Sequence, residues 1–143
     1  MNSPQVVTQH VRVRGASPTG EAVAAELRYA ADDPYVVRLT LFASDLSGSV
    51  RPVVHEVART LLVQAITGAV GMGDVRAWPI VNELGFSLVV LHLASGEHDV
   101  ALELLTTHLD LFLGRTRAMV PLGTESDHLD IDSLVDQLLA TGA

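Results

Sequence analysis

Gly71-Met72-Gly73-Asp74-Val75-Arg76-Ala77-Trp78-Pro79 lies at mid-chain and divides the sequence into two halves, each patterned as antiparallel strands followed by a helix. Gly71 and Gly73 accept positive φ, and Val75, Ala77 and Pro79 then alternate with Asp74, Arg76 and Trp78. That is a hinge and then a short strand, which Pro79 ends because it has no N–H to donate. Trp78 is the sole tryptophan of the chain. A lone Trp in a small domain is more often a core or subunit-interface anchor than a ligand contact.

Working towards the N-terminus, Val7, Gln9, Val11 and Val13 alternate with Thr8, His10, Arg12 and Arg14, the period-two pattern of a half-buried strand. After a Gly/Ser/Pro turn, Val23, Ala25, Leu27 and Tyr29 face one way while Ala24, Glu26 and Arg28 face the other. Asp32-Asp33-Pro34 turns the chain again, and Tyr35, Val37, Leu39 and Leu41 form a third apolar face opposite Val36, Arg38 and Thr40. Paired in register, these strands form an antiparallel meander that carries Arg12, Arg14, Arg28 and Arg38 on one polar face. Tyr29 and Tyr35 point inward by parity, and Phe42 points outward. From Ser49 to Thr67 the period becomes helical, with Val54, Val57, Ala58, Leu61, Leu62 and Ala65 as one stripe, Pro52 in the first turn and Gly68 as the stop. His55, Glu56, Arg59 and Thr60 are expected on the exposed side of that helix. Arg59 stands where a zinc-protease helix needs its second His, so that motif is excluded.

Towards the C-terminus a turn is expected from Asn82 to Gly85. Phe86 to Leu93 is nearly continuous in apolar residues, as in a strand covered on both faces. Ser95-Gly96-Glu97 turns the chain. Val100, Leu102 and Leu104 suit a strand, while Leu102, Leu105, Leu109 and Phe112 suit a helix. With Thr107 as cap and Asp110 three residues on, the change falls near Thr106. Val120-Pro121-Leu122-Gly123-Thr124 is a loop. A short terminal helix follows, with Asp130 as N-cap, a Leu129/Leu134 staple, and Leu134, Val135, Leu138 and Leu139 on one face. Asp127, His128, Asp130 and Asp132 admit a metal reading, but helix-start chemistry explains the same acids with fewer assumptions.

The chain resembles the SsgA-like proteins, small actinomycete proteins that control sporulation-linked cell division. Gly-x-Gly-Asp-Val-Arg-x-Trp-Pro at 71–79 carries the likeness first. Glu26-Leu27-Arg28-Tyr29, Asp33-Pro34-Tyr35, Ala58-Arg59-x-Leu61-Leu62, Phe112-Leu113-x-Arg115-Thr116 and Val120-Pro121-x-Gly123-Thr124-Glu125 follow in the family's order. Departures fall at His55, Val57, Thr60 and Gly68-Ala69. The resemblance implies a cytoplasmic, septum-associated protein that localises or times the division machinery or septal wall synthesis. It also implies a homo-oligomer, a trimer in particular, and contact with FtsZ or another SsgA-like protein. A further implication is a fold similar to the whirly-type nucleic-acid-binding proteins.

At 143 residues the chain suits one domain, 1–143, with a sizeable core. Cysteine is absent, which removes disulfides, thiolate zinc sites and a Cys nucleophile. No N-terminal basic-then-apolar segment is visible, so a soluble, unprocessed protein is expected. Apolar residues make up 48% and charged residues 18%, an apolar balance that favours a subunit interface. The net charge of −8 opposes general phosphate binding. On the arginine face, single-stranded nucleic acid is weighed against a solvated surface partly neutralised by Glu26, and the lack of stacking aromatics favours the latter. His92, His98, His108 and Asp110 come with no nucleophile elbow, phosphate loop or dinucleotide fingerprint, so neither an enzyme nor a cofactor is expected. The expected fold is α+β: six to seven strands in antiparallel sheets, two longer helices and a short C-terminal one. Candidate partner-binding residues are His55, Glu56, Arg59 and Thr60 on the central helix and Asp74, Arg76 and Trp78 on the mid-chain strand.

Overall fold

A computed structural model describes residues 5–15, 22–44, 47–95, 98–129 and the single position Leu139. Among the described residues, eight strands and two helices follow one another as β1 (Val6–Gly15), β2 (Ala22–Ala30), β3 (Val36–Ser44), β4 (Val50–Ala58), α1 (Arg59–Ala65), β5 (Val70–Met72), β6 (Val75–Val81), β7 (Ser87–Ser95), β8 (His98–Leu105) and α2 (Thr106–Met119). A 3-10 turn, Glu125–His128, comes after α2. The chain thus runs twice through four strands and a helix. All eight strands join in one antiparallel sheet of order β4-β3-β2-β1-β8-β7-β6-β5, not in separate sheets of six to seven strands.

Within each half the meander follows from short turns and strict alternation. β1 faces β2 from Val6–Ala30 to Arg14–Ala22, and odd-numbered residues of β1, β2 and β3 point to the core. Among the described residues β1 and β8 pair at Arg14–Glu103 and Gly15–Leu102. Both helices lie on the inner face, where Leu61, Leu62, Leu109, Phe112 and Leu113 join the core formed by the odd-numbered residues. Since α2 packs on β1, β7 and β8, it ties the two halves together across their seam.

The expected helix over 49–67 is half wrong. Residues 50–58 are strand β4, paired along its length with β3 from Ser44–Val50 to Val36–Ala58, and the helix occupies only Arg59–Ala65. Val50, Val53, Val54 and Val57 imitate a helical stripe, but their branched Cβ suits a strand and the free edge of β3 supplies the ladder. Pro52 is tolerated because β4 is the outermost strand. Helix α2 begins at Thr106, where the change of period was expected, but without a side-chain cap; Thr107 does not serve as one. Tyr35 lies in the turn before β3 and is 47% exposed, against the parity reading. Position 139 is helical, while Asp130, Asp132, Leu134, Val135 and Leu138 of the expected terminal helix lie outside the described residues.

The mid-chain stretch is a hairpin. Met72 pairs with Val75, so Gly73 and Asp74 form a two-residue turn. Gly73 has φ +57°, the Gly-first pattern of a type II′ turn, and Gly71 is not among the positive-φ glycines. A Cβ at Gly73 meets nothing within 4 Å, so Gly73→Ala strains only the backbone. A loss of about 1 kcal/mol is expected on chemical denaturation, from the cost of a left-handed conformation at an L-residue.

Candidate functional site

With both helices on the inner face, the even-numbered residues of β1 to β3 form the outer face. Cross-strand register arranges them in rows. Thr8, Arg28, Arg38 and Glu56 form one, and His10, Glu26, Thr40 and Val54 the next. Arg12, Ala24, Phe42 and Pro52 follow, and then Arg14 and Ala22, with Glu103 of β8 across the seam from Arg14. Arg12, Arg14, Arg28 and Arg38 therefore share one face, as the alternation required. Acids interleave with them. Arg38 Nε lies 3.4 Å from Glu56 Oε1, with both side chains about half exposed, and His10 Nε2 lies 4.0 Å from Glu26 Oε2. Such exposed pairs stabilise little, and they dilute any basic footprint.

On the other half of the same face, Arg76 lies beside His92, Trp78 beside Val90, and Ile80 beside Leu88. Glu103 and Leu105 of β8 extend the last two rows. Trp78 is half-buried and outside the inner core, whereas its neighbour Ala77 is in it. Leu88 and Val90 are buried although they face outward, and Val89 and Leu91 are buried on the inner face, so β7 has buried side chains on both faces, although no helix covers the outer one. At the end of β6, Asn82 Oδ1 accepts hydrogen bonds from the N–H groups of Leu84 (3.0 Å) and Phe86 (2.9 Å). This turn holds Leu84 at 82% and Phe86 at 54% exposure beside Leu88. Asp74 is exposed in the β5–β6 turn.

Four candidates were placed on a central helix, and only Thr60 is found there and exposed. Glu56 is on the outer face of β4. His55 points inward from β4, opposite Leu39, and its Nε2 is buried without a hydrogen-bond partner among the described residues. Arg59 is not exposed at all. Its guanidinium donates to Val120 O at 2.7 Å and Thr116 O at 3.4 Å, pairs with Glu125 Oε1 at 2.8 Å, and lies 4.9 Å above the Tyr29 ring. Glu125 Oε2 accepts from Gly123 N–H at 2.9 Å. The Glu125 carboxyl is held below its ordinary value, first by a hydrogen bond from its own backbone and then by Arg59. Burial raises the Tyr29 phenol, against the lowering pull of Arg59, and its O–H donates to Pro34 O at 2.9 Å. This buried lock joins β2, α1, the end of α2 and the loop beyond. Sequence reasoning missed it because the partners are 66 residues apart. Its one local signal was a charged residue set directly before the apolar Leu61-Leu62.

Of the residues weighed for catalysis, the His98 side chain lies outside what is described, and two others are engaged in pairs of their own. His92 faces Asp99 at 3.9 Å, and Asp110 is taken by Arg117 at 3.7 Å. Among the described residues no group of three or more His, Asp or Glu side chains is placed to hold a metal ion. No helix in them is long and apolar enough to cross a membrane.

A family model described as "Streptomyces sporulation and cell division protein, SsgA" matches residues 23–125. The sporulation-specific cell division protein SsgB of Streptomyces coelicolor is 36% identical over 140 residues, 98% of each chain. That of Salinispora tropica is 37% identical over 139 residues, 96% of this chain and 95% of the relative. Two solved structures superpose with a TM-score of 0.80. One comes from work relating mutations in SsgB to longitudinal cell division during sporulation of Streptomyces coelicolor; it is 34% identical, covering 90% of this chain and 99% of that one. The other is an SsgA-like sporulation-specific cell division protein from Thermobifida fusca, 32% identical, covering 96% and 98%. By these matches in sequence and in fold, the chain belongs to the SsgA family of sporulation and cell division proteins.

Proposed function

We propose that the protein is a non-enzymatic regulator or adaptor of sporulation-specific cell division, working at the division septum through protein-protein contacts made by the outer face of its sheet. The role in sporulation division rests on the family and on relatives named for it. The observation that carries the contact mechanism is the one-sided placement of the helices. It leaves a broad sheet face with Trp78, Ile80, Leu84 and Phe86 at one end and Phe42, Pro52 and Val54 at the other. A mixed apolar and charged face with a half-buried Trp has the makeup of an interface centre. Within this reading Arg76, Trp78 and Glu56 belong to the contact surface with Asp74 at its rim, while Arg59 supports the fold. The partner is a division protein such as FtsZ or a second SsgA-like protein, engaged by a homo-oligomer.

A second reading, single-stranded nucleic acid on this face, draws on the shared position of Arg12, Arg14, Arg28 and Arg38. Against it stand the interleaved acids and the net charge of −8. One experiment separates the two: capture of partners on the tagged protein from sporulating cells, with and without nuclease. Division proteins are expected under both conditions, and Trp78→Ser is expected to weaken their binding about 30-fold, the loss typical of an interface anchor. Recovery that disappears with nuclease would establish the second reading instead.

A further inference from the structure

We propose that the C-terminal stretch of one copy seats in a groove on the outer sheet face of a second copy. The groove has a structural cause. Strand β8 ends at Leu105, where the chain turns into α2, whereas β1 continues past that point; the register of Arg14 with Glu103 brings Arg12 next to Leu105. The sheet is interrupted there, and small residues, Ala22 and Ala24, follow on β2. Two depressions result, of about 310 Å³ on the Leu88 side and about 560 Å³ on the Phe42 side, with Arg12 and Leu105 lining both. Arg12, Arg14, His10 and His108 stand around this apolar floor, with Glu103 opposite Arg14 and Glu26 4.0 Å from His10.

The chain carries a segment of complementary chemistry. Ile131, Leu134, Val135, Leu138 and Leu139 recur at the spacing of one helical stripe, with Asp130, Asp132 and Asp136 flanking it. No basic residue follows Arg117, so the segment is purely acidic. Leu139 is helical and 71% exposed, so at this point the stripe is not seated on its own copy. Geometry favours a second copy too. The segment departs beyond Leu129 from a turn fixed by Arg59 and Glu125 on the helix side, and the groove opens on the far side of the sheet. Acids flanking an apolar stripe then meet Arg12 and Arg14, a helix-in-groove contact reinforced by charge.

This inference rests on reading the outer face as a protein-contact surface, and it is tested on purified full-length protein without any other partner. Light scattering at tens of micromolar should give a multiple of the single-chain mass. The double variant Leu134→Asp/Leu138→Asp should run at the single-chain mass with an unchanged thermal midpoint. Arg12→Glu should weaken assembly at least tenfold, and Asp136→Arg added to it should restore assembly. Trp78, the sole tryptophan, lies one row from the groove, so its emission should differ between the assembled wild type and the double variant. A monomeric wild type, or a double variant that keeps the wild-type mass and emission, would overturn the proposal. Either result leaves the capture experiment free to judge the adaptor role separately.

Discussion

Replacing Arg59 with Met is expected to lower the unfolding free energy by about 3 kcal/mol, the usual consequence of removing one partner of a buried pair. In a domain of this size that corresponds to a midpoint about 10 °C lower. Met fills a similar volume, so the loss comes from polar groups rather than from a cavity. Val120 O and Thr116 O lose their donor, and Glu125 is left without its cation among apolar neighbours. Adding Glu125→Leu should recover part of the loss, since no carboxylate then needs a partner; strict additivity of the two changes would argue that they do not interact. The pH dependence carries a sign. The folded carboxyl titrates below its ordinary value of 4.5, so its contribution is fully present above that value and is lost as pH falls through the lower, folded one. In Arg59→Met, protonation instead relieves an unpaired carboxylate, so the stability gap between variant and wild type should narrow in acid. Denaturant titrations at neutral pH and near pH 3 read both effects.

Phe112→Ala should be comparably damaging. Phe112 is fully buried on α2, and truncating an aromatic in a close-packed core typically costs about 3–5 kcal/mol. Here the site carries an added burden. Among the described residues the two half-sheets pair at Arg14–Glu103 and Gly15–Leu102, and α2, packed on β1, β7 and β8, is a second bridge between them. Loss of Phe112 should therefore loosen the seam as well as the core, seen as faster amide exchange in β1 and β8 than in β3. The adjacent Leu111 is 62% exposed, and Leu111→Ala should change stability by no more than about 0.5 kcal/mol. Equal effects at the two positions would mean that α2 does not key the halves together.

Much of the architecture was legible where local patterning and burial agree. Alternation in β1, β2 and β3 placed the four arginines on one face, the nearly continuous apolar run of β7 marked a strand buried on both faces, and the Gly73 turn and Trp78 strand were found where they were expected, although β6 does not end at Pro79 but continues, with Pro79 paired to Val89, as far as Val81. The misreadings share a physical origin. In β4, Val54, Val57 and Leu61 keep a helical spacing across a strand-to-helix junction, and only the long-range ladder with β3 decides in favour of the strand. Arg59 was assigned to the surface because it falls off the apolar stripe of the expected helix, although Glu125 neutralises it and two distant carbonyls accept its hydrogen bonds inside. Of the candidate contacts, Arg76 and Trp78 lie on the uncovered face by the alternation of their strand, whereas Glu56, expected on a helix, reaches that face from β4. The apolar depressions around Arg12 were not legible, since they depend on where β8 ends beside β1.

Site-specific photo-crosslinking in sporulating cells tests the outer face as contact surface most directly. A crosslinker at Arg76 reports on that face, and one at the exposed Leu111 reports on the helix side. Adducts with a division protein are expected from position 76 and not from position 111. Adducts from position 111 alone would place the contact on the helices and contradict the role assigned to the sheet.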